Sequence, residues 1–224
     1  MDALSQLIPA AVGMLISPLP IVAIVAILVS PRGRAAAPAY AATFLVVVLA
    51  FVGIGALTAA GASSASSGAG KIVVLILTIL LTVGFSGLAV ASWVSRPQPG
   101  TEPRPPAWLA AVDTITPARA AALGFVMAIT NTKNIPLALK GGALIGAAHL
   151  PPLVAALVCL ALAVAASLAL ILPTILAMTG APSVVRALER LKAEMIAHNA
   201  VIMTVLFAIL AAVEADHLVH QLIG

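Results

Sequence analysis

The chain has 224 residues, of which 62% are hydrophobic and only 8% charged, with a net charge of +4, where soluble domains carry roughly 25% charged residues. A water-solvated surface cannot be assembled from that composition. The few basic residues sit mostly in short segments between apolar runs, so they argue for membrane topology and against nucleic acid as a partner.

Apolar runs at approximately 4–29, 36–60, 72–94, 118–147, 152–178 and 195–213 recur along the chain. Each is long enough to cross a hydrocarbon layer of about 30 Å, which takes ~20 residues. The expected fold is an all-α integral membrane protein with six transmembrane helices. The start, Met1-Asp2-Ala3, lacks the basic region of a secretory signal, so the first helix is expected to stay in the mature protein. Gly61 to Gly70, small and nearly uncharged, reads as a flexible loop between the second and third helices. From Ser95 to Pro117 the chain is polar and holds Pro97, Pro99, Pro103, Pro105 and Pro106, which predicts an extended linker. Trp108 in that linker reads as an interface anchor, and Thr116-Pro117 as the N-cap and first residue of the fourth helix. Val184, Leu188, Leu191 and Met195 recur at helical spacing among Arg186, Glu189, Arg190, Lys192 and Glu194, predicting an interfacial amphipathic segment over 183–196.

Eight basic residues fall on one side of the six spans: Arg32, Arg34, Arg96, Arg104, Arg119, Arg186, Arg190 and Lys192. Lys71 alone falls on the other, so the positive-inside rule places the eight in the cytoplasm and both termini outside a cytoplasmic membrane. Three helices per half is an odd number, so a duplicated half would insert upside down, giving two inverted three-helix repeats. The expected organisation is a first repeat over 1–94, a linker over 95–117 and a second repeat over 118–224. An offset of 114 residues lays Ser17-Pro18-Leu19-Pro20 over Asn131-Thr132-Lys133-Asn134. The shared identities are few and alanine-rich, and the matching positions of the helix breaks weigh more.

Those two segments carry the chemistry. Pro18 and Pro20 lack the N–H groups that would bond the carbonyls of Met14 and Ile16, so helix one is expected to break near its middle and to face protein or a water-lined cavity. Asn131, Thr132, Lys133, Asn134 and Pro136 crowd two amides, a hydroxyl, an ammonium and a helix breaker into the matching depth of helix four. A lysine at a helix centre costs about 2.5–3.5 kcal/mol on insertion scales, so Lys133 is the leading functional candidate. Lys140, nearer the outside, reads as a lysine snorkelling to the interface. All seven acidic residues are expected in loops or at helix ends, leaving no carboxylate at the midplane. With positive half-helix ends after Pro20 and Pro136, this favours an anionic or polar neutral ligand over a cation.

Catalytic motifs are missing: there is no HExxH, no GxSxG and no GxxxxGK[ST]. An enzyme is not expected, nor a cofactor or a metal. His217 and His220 read as a solvated helix end, and Cys159 as a small apolar core residue. Gly142 to Gly146 is a GxxxG, consistent with close helix packing and compatible with a homodimer without implying one.

Ser17-Pro18-Leu19-Pro20 in the first helix and Asn131-Thr132-Lys133-Asn134-Ile135-Pro136 in the fourth resemble the motifs of the lysine-exporter (LysE) superfamily, which are Pro-Gly-Pro-like and Asn-Pro-Lys-like. Within it the chain is most similar to the peptidoglycolipid-addressing (GAP) family, which includes the sulfolipid-addressing proteins of actinobacterial envelopes. The likeness covers nearly the whole chain. It implies a substrate-binding role for Ser17, Pro18, Pro20, Asn131, Thr132, Lys133, Asn134 and Pro136. Thr132 stands where the superfamily has proline and Leu19 where it has glycine, departures that argue against amino-acid export. The single Cys159 and the expected lack of midplane acids argue against the superfamily's disulfide-reductant and cadmium carriers.

Two functions follow as expectations. One is a transporter that exports, or assists export of, a polar or anionic small molecule or envelope glycolipid, with membrane lipids around it. The alternative is a non-transporting accessory subunit that docks a lipid-synthesis enzyme or lipid-export pump through the 95–117 and 183–196 segments.

Overall fold

The computed structural model describes residues 6–65, 67–96, 112 and 114–223, and within them the secondary structure is helical, with no strand. The proline-rich stretch, Trp108, Arg104, Asp2, Glu102 and Asp113 lie outside the described residues, as does the side chain of Lys71. In chain order the helices are α1 (Leu7–Leu15), α2 (Pro18–Val29), α3 (Gly33–Ala65), α4 (Ser67–Val94), α5 (Pro117–Ile129), α6 (Asn134–Ala147), α7 (Pro152–Met178), α8 (Pro182–Ala197) and α9 (Asn199–Ile223). Both expected breaks are present. The first run divides into α1 and α2, bent by 48°, and the fourth divides into α5 and α6 around residues 130–133.

Among the described residues three helices, α3, α7 and α9, are long and apolar enough to cross a membrane, and α1 with α2 makes a fourth when the bent pair counts as one span. Large apolar side chains such as Ile8, Leu57, Val83, Val94 and Leu153 face outward. A soluble monomer rarely tolerates that much contiguous apolar surface, whereas lipid accommodates it. This is a multi-pass membrane protein.

Packing between the helices depends on small residues that let backbones approach. Gly142 and Gly146 of α6 lie against α3, where an added Cβ would come within 2.0 Å of the Val52 carbonyl oxygen and 2.1 Å of that of Ala56. The GxxxG is therefore occupied within the chain. Gly55 of α3 lies equally tightly on Leu139, and Gly124 of α5 on Tyr40. In this way α3 holds both pieces of the second broken run, while α7 packs against α1 and α2.

Three boundaries differ from the sequence expectation. Residues 61–65 and 67–70 are helical, extending α3 and α4 where a flexible loop was expected. Without proline, and with several alanines, the segment has little to stop a helix. Helix α9 runs to Ile223, about ten residues past the hydropathy boundary. Hydropathy falls at Glu214, but the helix continues because that carboxylate finds a partner inside the bundle. The amphipathic segment forms α8, with Leu188 and Met195 buried, Val184 half-buried and Arg186, Glu189, Arg190 and Glu194 exposed, as its spacing predicts, whereas Leu191, expected on the apolar face, is exposed.

A cleft at two facing helix breaks

Two carbonyl groups of α1 lose their helical partners at the break. Pro18 has no N–H to offer the Met14 carbonyl, and the Ser17 N–H turns to the Leu15 oxygen, 3.1 Å away, instead of reaching Gly13. Orphaned carbonyls in a membrane interior must be satisfied by protein or water. Here both are taken by side chains from the break between α5 and α6. Lys133 Nζ donates to the Gly13 carbonyl oxygen at 2.5 Å, and Asn134 Nδ2 donates to the Met14 carbonyl oxygen at 3.3 Å.

The rest of the network ties the breaks to one another. Asn131 Nδ2 donates to Ser17 Oγ at 3.1 Å, and Lys133 Nζ also donates to Asn134 Oδ1 at 2.7 Å. Ser17 Oγ has two acceptors in reach, the Met14 carbonyl and Asn134 Oδ1, each at 3.2 Å. Asn131 Oδ1 accepts from the Asn134 backbone N–H at 3.4 Å, closing the turn that starts α6. The position overlaid on Ser17 by the 114-residue offset, Asn131, is thus its hydrogen-bond partner.

Beside this network lies a cleft of about 170 Å³, with one wall from Ser17, Pro18, Leu19 and Pro20 and another from Thr130, Asn131, Thr132 and Lys133. Met127 of α5 and the start of α9, at Asn199 and Met203, complete it. At roughly 30 Å³ per water it holds about six waters, or one charged group of comparable size, and not a whole lipid. Lys133 is 1% exposed, yet its hydrogen bonds among the described residues go to two neutral oxygens, and it takes part in no ion pair there. No carboxylate among the described residues pairs with it.

Of the residues singled out in the sequence, Ser17, Pro18, Pro20, Asn131, Thr132 and Lys133 line this cleft. Asn134 is buried behind Lys133 and orients it. Pro136 sits half-buried in the first turn of α6 and does not line the cleft. The helix starts fall before Pro20 and Pro136 and not after them, at Pro18 and Asn134. Pro18 and Pro20 therefore remove two first-turn donors from α2, and its positive end presents little more than the Leu19 amide. Met127, Thr130, Asn199 and Met203 were not foreseen, nor was Tyr40, whose hydroxyl donates to the Pro20 carbonyl oxygen at 3.1 Å. Asn199 and Met203 lie far along the chain from either break, so no local pattern announced them.

Two readings are corrected. Lys140 does not snorkel: it is 7% exposed and forms a buried ion pair with Glu214, with His217 Nδ1 at 3.2 Å. Glu214 and His217, 4% and 8% exposed, consequently belong to the interior of the bundle and not to a solvated end, whereas His220 is exposed. The pairing offsets the desolvation of Lys140 and Glu214 at this depth.

The sulfolipid-1-addressing protein family model matches residues 7–217, nearly the whole chain and including both breaks. The chain belongs to the sulfolipid-1-addressing protein family. No curated protein and no solved structure matches it.

Proposed function

We propose that the protein moves, or helps to move, an anionic envelope glycolipid across the cytoplasmic membrane, binding its charged headgroup in the cleft between the two breaks while the acyl chains remain in lipid. The observation that carries this reading is Lys133, buried and held by neutral oxygens at the cleft wall. A headgroup sulfate would supply the counter-charge the protein omits, and Asn131, Thr132 and Asn199 offer hydrogen bonds beside it. Met127 and Met203 give the cleft an adaptable apolar lining. The size of the cleft fits the headgroup charge alone, which is why the tails are assigned to the bilayer.

The wider reading is a transporter of the lysine-exporter superfamily, not an enzyme, with six spans in two inverted halves. In its support, α1 and α2 correspond in order to α5 and α6, with α3 corresponding to α7. Each long helix also packs against the broken pair of the other half. Alternating access would then rock the halves about the hydrogen-bonded breaks.

The test is flux in proteoliposomes of phosphatidylethanolamine and phosphatidylglycerol, using a labelled sulfated glycolipid. Flux without a partner, abolished by Lys133→Met and partly kept by Lys133→Arg, is the expected result. Flux at the wild-type rate in Lys133→Met removes the cleft reading. Strict dependence on a co-purified lipid synthase or pump instead supports the accessory-subunit alternative, for which the exposed charges of α8 would be the contact surface.

A further inference from the structure

Two turns along α6 from Lys133, the Lys140–Glu214–His217 cluster is buried between α6 and α9. It takes no part in the cleft, which draws on α9 only at its start, through Asn199 and Met203. A buried ion pair is weak evidence for stability, since well-packed apolar residues do as well or better. Its position therefore needs another account.

Between the two lysines lies an apolar layer. A Cβ added at Gly13 of α1 would meet Leu210 Cδ2 at 2.8 Å and Leu137 Cδ1 at 3.0 Å, so both leucines close over that glycine. Leu137 follows Lys133 by one turn of α6, and Leu210 precedes Glu214 by one turn of α9. The same Gly13 offers its carbonyl to Lys133. None of the three residues lines the cleft, which stops short of the layer. The order along the bundle is cleft, Lys133, leucine layer, Lys140.

We propose that Lys140 is a second station for the anionic group, masked in this state by Glu214 and His217, and that Glu214 is the proton-binding residue that unmasks it. This rests on the reading of the cleft as the headgroup site. One proton from the aqueous phase, bound by the Glu214 carboxylate, neutralises it and breaks the ion pair. The Lys140 ammonium then lacks a counter-charge, and an anion leaving Lys133 finds a second cation about 10 Å onward, seven residues at ~1.5 Å of rise each. When Glu214 releases its proton to water, carboxylate and anion compete for one ammonium, and the anion is expelled.

Few other charges intervene on the helices packed against α9. Of these, α1 and α2 bring no ionisable side chain and α4 carries only Lys71, whose side chain lies outside the described residues; α6, which meets α9 through the Lys140–Glu214 pair and not by backbone packing, brings Lys140 with Lys133 at its N-cap, and Asp216 and His220 of α9 itself are exposed. The charges of α8 stand at the opposite end of α9.

Two measurements need no substrate, so they stand or fall apart from the cleft reading. Infrared difference spectra of the reconstituted full chain, recorded on a step from neutral pH to below the ordinary carboxylate range, should show a protonated carboxyl band. That band should vanish in Glu214→Gln and move without vanishing in Glu214→Asp. In a Cys159→Ala, Leu210→Cys background, an impermeant thiol reagent applied at constant neutral pH should react about tenfold faster once Glu214→Gln removes the charge. Replacing the pair by Lys140→Met with Glu214→Leu should keep the layer closed and stop flux of the sulfated glycolipid in a folded protein. A spectrum without a Glu214-dependent band, equal labelling in the Glu214→Gln protein, or wild-type flux in the double variant would each overturn the proposal.

Discussion

Asn134 has the most demanding position of any side chain at the breaks. Its Nδ2 satisfies an orphaned carbonyl of α1, and its Oδ1 receives the Lys133 ammonium. Asn134→Asp would place a permanent counter-ion where substrate is proposed to supply one. We expect that variant to insert and fold yet lose sulfated-glycolipid flux, because the anion must then displace a covalently attached carboxylate. Asn134→Leu leaves buried polar groups without partners and should lose about 1–3 kcal/mol in detergent unfolding. Lys140→Met tests the corrected reading of the second lysine. A snorkelling lysine is dispensable, whereas removal of one member of a buried pair costs ~3–5 kcal/mol. We expect a large fall in thermal stability, with much of it recovered when Glu214→Leu is added. Lys133 was legible from the sequence because its neighbours Asn131, Asn134 and Pro136 mark the same break. Lys140 was not, because Glu214 lies 74 residues away and nothing in either local sequence points to the other.

At the scale of elements, what was legible followed from backbone chemistry. Prolines lacking an N–H placed both breaks, Thr116 accepts from the Arg119 N–H at 3.3 Å as an N-cap with Pro117 behind it, and alternating charge placed α8. Hydropathy fixed helix ends less well, since it stops at the first charge whether or not that charge is paired, and α9 was cut short for that reason. The α3–α6 contact was legible only as a motif, and the structure shows what the motif does. Because a Cβ at Gly142 would stand 2.0 Å from a backbone oxygen, even alanine must push the two helices apart. Gly142→Ala should destabilise the protein by about 1–3 kcal/mol, the usual cost of overpacking, and Gly142→Leu should abolish folded protein on size exclusion. Gly84 on α4, with open space around it, is the control: Gly84→Ala should be tolerated. Since α3 also carries Tyr40, a displaced α3 should disturb the α2 break as well.

For the molecule as a whole, charge sets the expected orientation. The Arg34 guanidinium donates to the Met178 carbonyl oxygen at 2.8 Å, so the start of α3 caps the end of α7 and brings the basic turn after α2 to the same end as α8. Arg96, stacked 3.9 Å over the Trp93 ring, closes α4. On the six-span proposal all of these face the cytoplasm, and the α3–α4 junction and the turn at His149 face out. Single cysteines in a Cys159→Ala background test it. Ser64→Cys and His149→Cys should react with an impermeant thiol reagent added to intact cells, whereas Ser95→Cys and Ser183→Cys should react only after the membrane is opened. The arrangement carries a functional consequence. The cleft includes the start of α9, which follows α8, so it would open toward the cytoplasm, while the Lys140–Glu214 cluster would stand on the outer side of the leucine layer. On this reading cargo would be received from the cytoplasmic side, and protons would be taken up from the outer aqueous phase. Labelling of Ser64→Cys and Ser183→Cys from the same side would break the six-span reading, and with it the assignment of an entrance and an exit. Labelling from opposite sides but with Ser183→Cys outside would keep the fold and reverse the direction of movement.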